Sequence, residues 1–150
     1  VDALREEFPD AVEAADVATV HAVSCDIFAP CAGGGVINDQ TVEELKCRAV
    51  VGSANNQLED DKHGDRLHER GILYAPDYLV NAGGLIQVAD ELSGYNPERV
   101  MAKTRSIYDM LLKIYRLSRE QDIPTYRAVD RLVVKRMEQV AELRKIFLGL

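Results

Sequence analysis

The sequence predicts an α/β fold in which short parallel strands alternate with helices, followed by two long helices. Three short apolar runs, rich in β-branched or aromatic residues, recur about every two dozen residues, each followed by a polar or glycine-rich loop. Such repeats are typical of right-handed βαβ units. After the third run, apolar residues recur every three or four positions over two long segments, which indicates helices with one buried face.

Length and composition limit the classes of protein to which the chain can belong. Its 150 residues, 47% of them hydrophobic, suffice for one compact domain with a core. A formal charge of −7 argues against nucleic acid and anionic membranes as partners, because both need clustered Lys and Arg. Three cysteines without a CxxC pair favour a reduced, cytoplasmic protein. No signal peptide, no membrane-spanning apolar run and no metal-ligand spacing are found.

The first part of the chain predicts a helix, a loop and the first βα unit. Residues 1–8 have helical spacing, and residues 10–20 are expected to form a loop or weak helix. The first strand is predicted at residues 25–29, before a loop with three consecutive glycines. A short helix is predicted over residues 42–46, because polar capping residues precede it and two acids occupy its first turn.

The second and third units follow the same pattern. Residues 49–54 are apolar throughout, as expected of a strand covered on both faces. Residues 59–70 predict a polar surface helix that touches the sheet through Leu67 and ends at Gly71. The third strand is predicted at residues 72–75, and the helix after the next glycine pair ends near Leu92.

Two long helices are predicted after Pro97. The first covers residues 98–120, and the second carries the apolar stripe Val129, Leu132, Val133, Met137, Val140, Leu143, Ile146 and Phe147. Both stripes are interpreted as packing faces and not as a cofactor site. The last helix is too long to be covered by three strands, so we expect it to contact another domain or subunit.

The loops after the three strands are the candidate binding site. Parallel strands point the same way, so these loops emerge at one edge of the sheet, where open α/β sheets bind ligands. Glycines let backbone N–H groups approach a ligand, and a helix start favours an anion. A single Gly-Gly pair is more often only a turn, but the recurrence of polar or glycine-rich loops predicts one shared cleft.

Four segments of the chain resemble a known enzyme family. CDIFAPCA, GSANNQL, RGILYAPDYLVNAGGLIQVADEL and IPTYRAVDR resemble the C-terminal part of the Glu/Leu/Phe/Val dehydrogenases, especially the branch acting on leucine, valine and phenylalanine. Those enzymes oxidatively deaminate an L-amino acid to a 2-oxo acid and ammonia and pass hydride to NAD. The resemblance implies the C-terminal half of a Rossmann-like doubly wound parallel sheet over residues 1–92 and a helical tail over residues 93–150.

The resemblance also implies which residues bind the cofactor NAD. Ala32 and Gly33, after the first strand, are expected to lie along the dinucleotide. Ser53, Ala54 and Asn55 are expected to approach its nicotinamide end. The family usually has a bulky residue at the position of Gly33, so this loop is expected to be more mobile here.

A second group of residues is implied to bind the amino acid. Asn55 and Asn81 would hold ribose or substrate, because an amide both donates and accepts hydrogen bonds. Leu85 and Val88, three apart on one helix face, would line the pocket for an apolar side chain. Alternatively, the two asparagines cap helices and the two apolar residues belong to the core.

Two adjacent acids follow these residues on the same helix. Asp90 and Glu91 lie on different faces, so they are interpreted as surface acids and not as a catalytic pair.

No catalytic residue is predicted in this chain. It lacks the glycine-rich dinucleotide fingerprint with its ribose-binding acid, and the N-terminal substrate domain whose lysines and aspartate transfer protons in the family. The expectation is therefore a piece of a larger homo-oligomeric enzyme, inactive alone, whose partners are an amino acid and the missing domain. The alternative is a non-catalytic module that associates through its long helices. The sequence does not rank leucine, valine and phenylalanine as substrates, nor NAD against NADP.

Overall fold

The computed structural model describes residues 2–148, with side-chain environments up to residue 143. The elements in chain order are α1 (Asp2–Glu7), a 3-10 turn (Val20–Ala22), β1 (Ile27–Phe28), α2 (Thr41–Glu44), β2 (Ala49–Val50), α3 (Asp61–Glu69), β3 (Leu73–Tyr74), α4 (Asp77–Val80), α5 (Gly83–Glu91), α6 (Pro97–Gln121) and α7 (Thr125–Leu148). The α/β class with long C-terminal helices is confirmed. Two short elements, the 3-10 turn and α4, lie where the sequence predicts no separate element.

The three strands form one parallel sheet in the order β1-β2-β3. Ile27 and Phe28 lie opposite Ala49 and Val50, which in turn lie opposite the two residues of β3. Each strand has only two residues in the ladder, fewer than predicted. After β1 the chain reaches Pro30, which has no N–H to donate to a ladder. The predicted parallel direction is therefore confirmed, but the strands are short.

One face of the sheet carries the hydrophobic core. Helices α2 and α3 cover this face, and Leu67 of α3 packs against it without exposed surface, as predicted. The fully or largely buried members of the cluster are Ile37, Val42, Leu45, Cys47, Val50, Leu67, Ile72 and Tyr74. Burial of these side chains is the main force that holds the βα units together.

The opposite face of the sheet is less covered by the described residues. Ile27 is 59% exposed and Leu73 is 41% exposed, while Ala49 between them is half-buried. We expected both faces of β2 to be covered. Val50 is buried on the core face, but Ala49, on the opposite face, is only half-buried, so the expectation is wrong for that face within the described residues. The reason is that successive residues of a strand point to opposite faces, and the packed helices α2 and α3 lie on one of them.

Local signals in the sequence set the ends of the helices. Asp60 caps α3 in a capping box with His63, and Gly71 follows α3 with a positive φ of 69°. Asn96 caps α6, and Pro97 occupies its first turn, where its missing N–H costs nothing.

The long helices pack against the rest of the domain through several elements. α6 contacts α4, α5 and α7, and α7 also contacts α3. Of the predicted stripe on α7, Ile146 and Phe147 lie outside the residues whose side chains are described. Within residues 2–148, no helix combines the length and apolar composition that crossing a membrane requires.

Candidate functional site

The loops after β1 and β2 run side by side at the carboxyl edge of the sheet. We call residues 30–36 the first loop, residues 51–58 the second loop and residues 75–82 the third loop. Gly35 donates its N–H to the carbonyl of Asn56 at 2.7 Å, and Ile37 donates to that of Gln57 at 2.9 Å. Nearer the sheet, Ala54 donates to the carbonyl of Pro30 at 2.9 Å. These bonds fix the first loop against the second, as the parallel strand order predicts.

Glycine is required where these two loops touch. A Cβ on Gly52 would lie 2.1 Å from the carbonyl oxygen of Pro30, and one on Gly34 would lie 2.9 Å from that of Asn55. Both distances are below ordinary contact, and both involve backbone atoms, which cannot rotate away. By contrast, a Cβ on Gly33 would meet no atom within 4 Å. Gly34 and Gly52 therefore serve packing, and Gly33 faces open space.

The second and third loops meet through two asparagine side chains. Asn81 donates Nδ2–H to Oδ1 of Asn55 at 2.6 Å and to the carbonyl of Ser53 at 3.3 Å. Asn81 stands at the C-cap of α4 and closes that helix through its main-chain N–H, but neither side-chain amide bonds to a helix end. The alternative interpretation as a cap therefore holds for the position of Asn81 and not for the two amide groups. The predicted convergence of the loops brings Ser53, Asn55 and Asn81 together.

The asparagine pair keeps hydrogen-bonding groups available to a ligand. Among the described residues, the contacts of the pair use Oδ1 of Asn55 and Nδ2 of Asn81. Nδ2 of Asn55 and Oδ1 of Asn81 have no protein partner there. One donor and one acceptor are thus free, which suits a ligand with both kinds of polar group, such as a zwitterion beside a hydroxyl.

The other predicted residues of the first two loops differ in their exposure. Ala32, Gly33 and Ser53 are exposed at the loop edge. Ala54 is buried, and its N–H and carbonyl are bound to Pro30 and to the side chain of Gln57. Ala54 therefore offers no free polar group to a ligand. It contributes to a binding site by holding the second loop in position. The contacts of the other three with a cofactor stay predictions.

Cys31 lies beside the predicted residues of the first loop. Its thiol is exposed, and hydrogen bonds from the side chain and the backbone of Ser53 hold its pKa below the ordinary value. This contact is a further link between the first and second loops.

Leu85 and Val88 lie on the surface of α5. Their exposed fractions are 72% and 60%, so the alternative that they belong to the core of this chain is wrong. Leu92 extends the same row at 91% exposure. Exposed apolar side chains at this spacing can line a binding cleft, and their role toward a substrate stays a prediction.

The interpretation of Asp90 as a surface acid is wrong. Its carboxylate is 1% exposed and accepts hydrogen bonds from Nε and a terminal nitrogen of Arg99, at 2.5 and 2.9 Å, and from the N–H of Asn96. The Arg99 guanidinium lowers the pKa of Asp90 to about 2. This ion pair ties α5 to the start of α6. The sequence did not reveal it because the partner lies nine residues away, across a turn. Glu91 is exposed, as predicted.

Two buried polar residues below the asparagine pair were not among the predicted site residues. Gln57 has no exposed surface and Asp77 is 7% exposed. The available signal was their place inside the segments GSANNQL and APDYLVNAGG, next to the predicted residues.

A concave region of about 290 Å³ lies against the second and third loops, where it is lined by Asn56, Asp77, Tyr78 and Tyr126 among others. Another, of about 400 Å³, lies between β3, α3 and α6, where it is lined by His68, Tyr115 and Arg119 among others. Within residues 2–148, no three His, Cys, Asp or Glu side chains are grouped to hold a metal ion.

Comparison with known sequences gives a consistent result. The sequence profile of Glutamate/Leucine/Phenylalanine/Valine dehydrogenase matches residues 2–145. The chain is 55% identical to the phenylalanine dehydrogenase of Thermoactinomyces intermedius over 145 aligned residues. The alignment covers 97% of this chain and 40% of that protein. It is 52% identical to the leucine dehydrogenase of Geobacillus stearothermophilus over 143 aligned residues. That alignment covers 95% of this chain and 38% of that protein. The chain thus spans about two fifths of the length of these relatives.

Comparison with solved structures supports the same grouping. The L-tryptophan dehydrogenase of Nostoc punctiforme superimposes with a TM-score of 0.87 at 38% identity, over 94% of this chain and 42% of that one. The hetero-hexameric glutamate dehydrogenase of Thermus thermophilus has a TM-score of 0.68 at 19% identity, over 96% of this chain and 36% of that one. Because its sequence identity is only 19%, the second match supports the fold alone.

Proposed function

Because this chain belongs to the Glutamate/Leucine/Phenylalanine/Valine dehydrogenase family, we propose that it forms the nicotinamide side of the cofactor domain in an NAD-dependent amino acid dehydrogenase. The reaction is the oxidative deamination of an apolar L-amino acid to a 2-oxo acid and ammonia. The observation that carries the proposal is the contact between Asn81 and Asn55 at the carboxyl edge of the parallel sheet. It places one free donor and one free acceptor where the three loops meet.

The first two loops fit an extended dinucleotide. The space above Gly33 is open, and Ala32 and Ser53 are exposed beside it. Hydrogen bonds of the flanking residues Gly35 and Ala54 join the two loops on either side of them. Ala32, Gly33, Ser53 and Asn55 would hold NAD, with Ala54 setting the path of the backbone. When bound, NAD accepts the hydride that leaves the α-carbon of the amino acid.

The exposed row on α5 fits an apolar substrate. Leu85 and Val88 would contact its side chain, while Asn55 and Asn81 would bind its polar groups. Apolar side chains at both positions favour leucine, valine or phenylalanine over glutamate, because a buried carboxylate would lack a partner.

The remaining parts of the enzyme would come from outside these residues. Residues 1–92 would supply βα units of the cofactor domain and residues 93–150 its helical tail. The proton-transferring lysine and aspartate would come from an N-terminal substrate domain that faces the loop edge. The outer edge of β1, where Ile27 is exposed, would continue into the other half of the sheet. The apolar row Val133, Met137 and Val140 on α7, exposed here, would contact another domain or a second subunit of a homo-oligomer.

The test is NADH production from L-leucine, L-valine, L-phenylalanine and L-glutamate by the longer protein that contains this chain. We expect activity on the apolar amino acids, and a loss of about 10- to 100-fold in kcat/KM in Asn55→Ala and in Asn81→Ala. Gln40→Ala is the matched control, because this amide is exposed and binds only Glu44 through its side chain. Absence of activity on all four amino acids, or equal losses in the control, would overturn the proposal.

A further inference from the structure

We propose that Gln57 and Asp77 are positioning residues that set the geometry of the Asn55 and Asn81 amides; the inference rests on the proposed function. Neither residue is exposed enough to bind a ligand at the loop edge, since their exposed fractions are 0% and 7%. Their hydrogen bonds connect the second loop to the third loop directly below the asparagine pair.

The side chain of Gln57 fixes the backbone on both sides of Ser53. Its Nε2 donates to the carbonyl of Gly52 at 2.7 Å and to that of Ala54 at 2.9 Å. With both neighbouring carbonyls held from below, the carbonyl of Ser53 is the one that accepts from Asn81. The second loop therefore presents Ser53 and Asn55 in one orientation.

Asp77 passes this constraint to the third loop. One carboxylate oxygen accepts the N–H of Gln57 at 2.7 Å, and the other accepts the N–H of Tyr78 at 2.6 Å. The main-chain carbonyl of Asp77 accepts the N–H of Asn81 at 3.0 Å. The position of Asn81 is thus linked to that of the second loop through a single buried residue.

These contacts close a ring. It runs from Asn55 through the second loop to Gln57, from Gln57 to Asp77, from Asp77 to Asn81, and from Asn81 back to Asn55. Each of the four residues is held from two sides, so moving one displaces the others. A ring of this kind keeps the two amides at a fixed separation before any ligand binds, which is what orientation of a substrate requires.

The bond from Gln57 to Asp77 uses the main-chain N–H, whereas the bonds that hold the carbonyls of Gly52 and Ala54 require the glutamine side chain. Oε1 of Gln57 is buried and has no partner among the described residues, so the side chain is held by its NH₂ group alone. Methionine has a similar shape but no donor, and would leave both carbonyls unpaired. Glutamate has no NH₂ group and would bring a buried charge against these two carbonyl oxygens, so it is expected to disrupt the ring more severely.

A double-mutant cycle on the longer protein tests the inference. Gln57→Met is expected to lower kcat/KM for the preferred amino acid by about 10- to 100-fold. In the Asn81→Ala background the same change is expected to cost several-fold less than in the wild type, because one of the two amides through which it acts is gone and its contact with the other is lost. Losses of equal size in both backgrounds would show that Gln57 acts on general stability and would overturn the inference.

Two controls separate positioning from loss of structure. Gln40→Met makes the same chemical change at an exposed site away from the ring. Ile114→Val removes a methyl group from the buried face of α6 and is the control for stability. If it lowers Tm as much as Gln57→Met does, it should still leave kcat/KM unchanged. If Gln57→Met does not fold, Asp77→Asn is the second variant. This change keeps the size of the side chain but replaces one of the two accepting carboxylate oxygens by an NH₂ group. The same non-additivity with Asn81→Ala is expected.

A readout without catalysis separates this inference from the proposed function. In a crystal structure of Gln57→Met, the distance between Nδ2 of Asn81 and Oδ1 of Asn55 should increase from 2.6 Å to beyond hydrogen-bond distance. An unchanged distance would overturn the inference. If the wild-type protein oxidises none of the four amino acids, the proposed function fails, while this distance still decides whether the ring positions the amides.

Discussion

Substitution of Gly52 by alanine tests the close contact between the first and second loops. Gly52 is buried at the end of β2, and its φ is not in the left-handed region, so only the missing Cβ distinguishes it from alanine. That Cβ would lie 2.1, 2.6 and 2.7 Å from the oxygen, nitrogen and carbonyl carbon of Pro30. The first loop would have to retreat by about 1.3 Å to bring the shortest of these distances, 2.1 Å, to an ordinary contact of 3.4 Å.

The cost follows from the contacts that such a retreat breaks. Overpacking a buried position costs about 1–3 kcal/mol. Moving the carbonyl of Pro30 also weakens its hydrogen bond from Ala54, at 2.9 Å, which is worth about 1 kcal/mol. We therefore expect Gly52→Ala to lower the free energy of unfolding by about 2–4 kcal/mol, a large part of the stability of a typical domain.

Urea unfolding followed by circular dichroism measures this change. Gly84→Ala is the matched control, because it lies within α5 with no atom within 4 Å of the added Cβ. This variant should be neutral or more stable by up to about 1 kcal/mol. A Gly52→Ala protein that unfolds within about 0.5 kcal/mol of the wild type would refute the steric reasoning.

Three further changes probe other parts of the molecule. Asp90, whose pKa the Arg99 guanidinium lowers to about 2, stabilises the fold fully above its ordinary pKa of 3.8, and this contribution is lost as the pH falls toward 2. Urea unfolding of wild type and Asp90→Asn should therefore differ at about pH 6 and converge near pH 2, whereas a constant difference would contradict the ion pair. Leu67→Ala should cost about 2–5 kcal/mol in thermal unfolding, and Leu92→Ala less than about 0.5, because the first side chain is fully buried and the second is 91% exposed. Leu85→Ala should raise the ratio of kcat/KM for phenylalanine over leucine by about 10-fold if this side chain lines the substrate pocket; an unchanged ratio would place it elsewhere.

The sequence by itself determined the order of the elements and the edge where the site lies. Apolar periodicity, Asp60 and Asn96 as caps, and Gly71 are local signals, so the helices and the parallel direction of the strands could be predicted. The loops could be placed at one edge because parallel strands share a direction. The strand lengths, the end of α2, the 3-10 turn and the helix α4 differed, since ladder pairing and single helical turns depend on neighbouring segments.

Only the tertiary structure decided which side chains touch. The contact between Asn55 and Asn81 joins residues 26 positions apart, and the contact between Gln57 and Asp77 joins residues 20 apart. A sequence pattern shows that a residue is polar but does not identify its partner, so the burial of Asp90 against Arg99 could not be predicted. Exposure is likewise a property of the assembled chain: Leu85 and Val88 have the spacing of a core face, yet they face outward because no element within the described residues covers them.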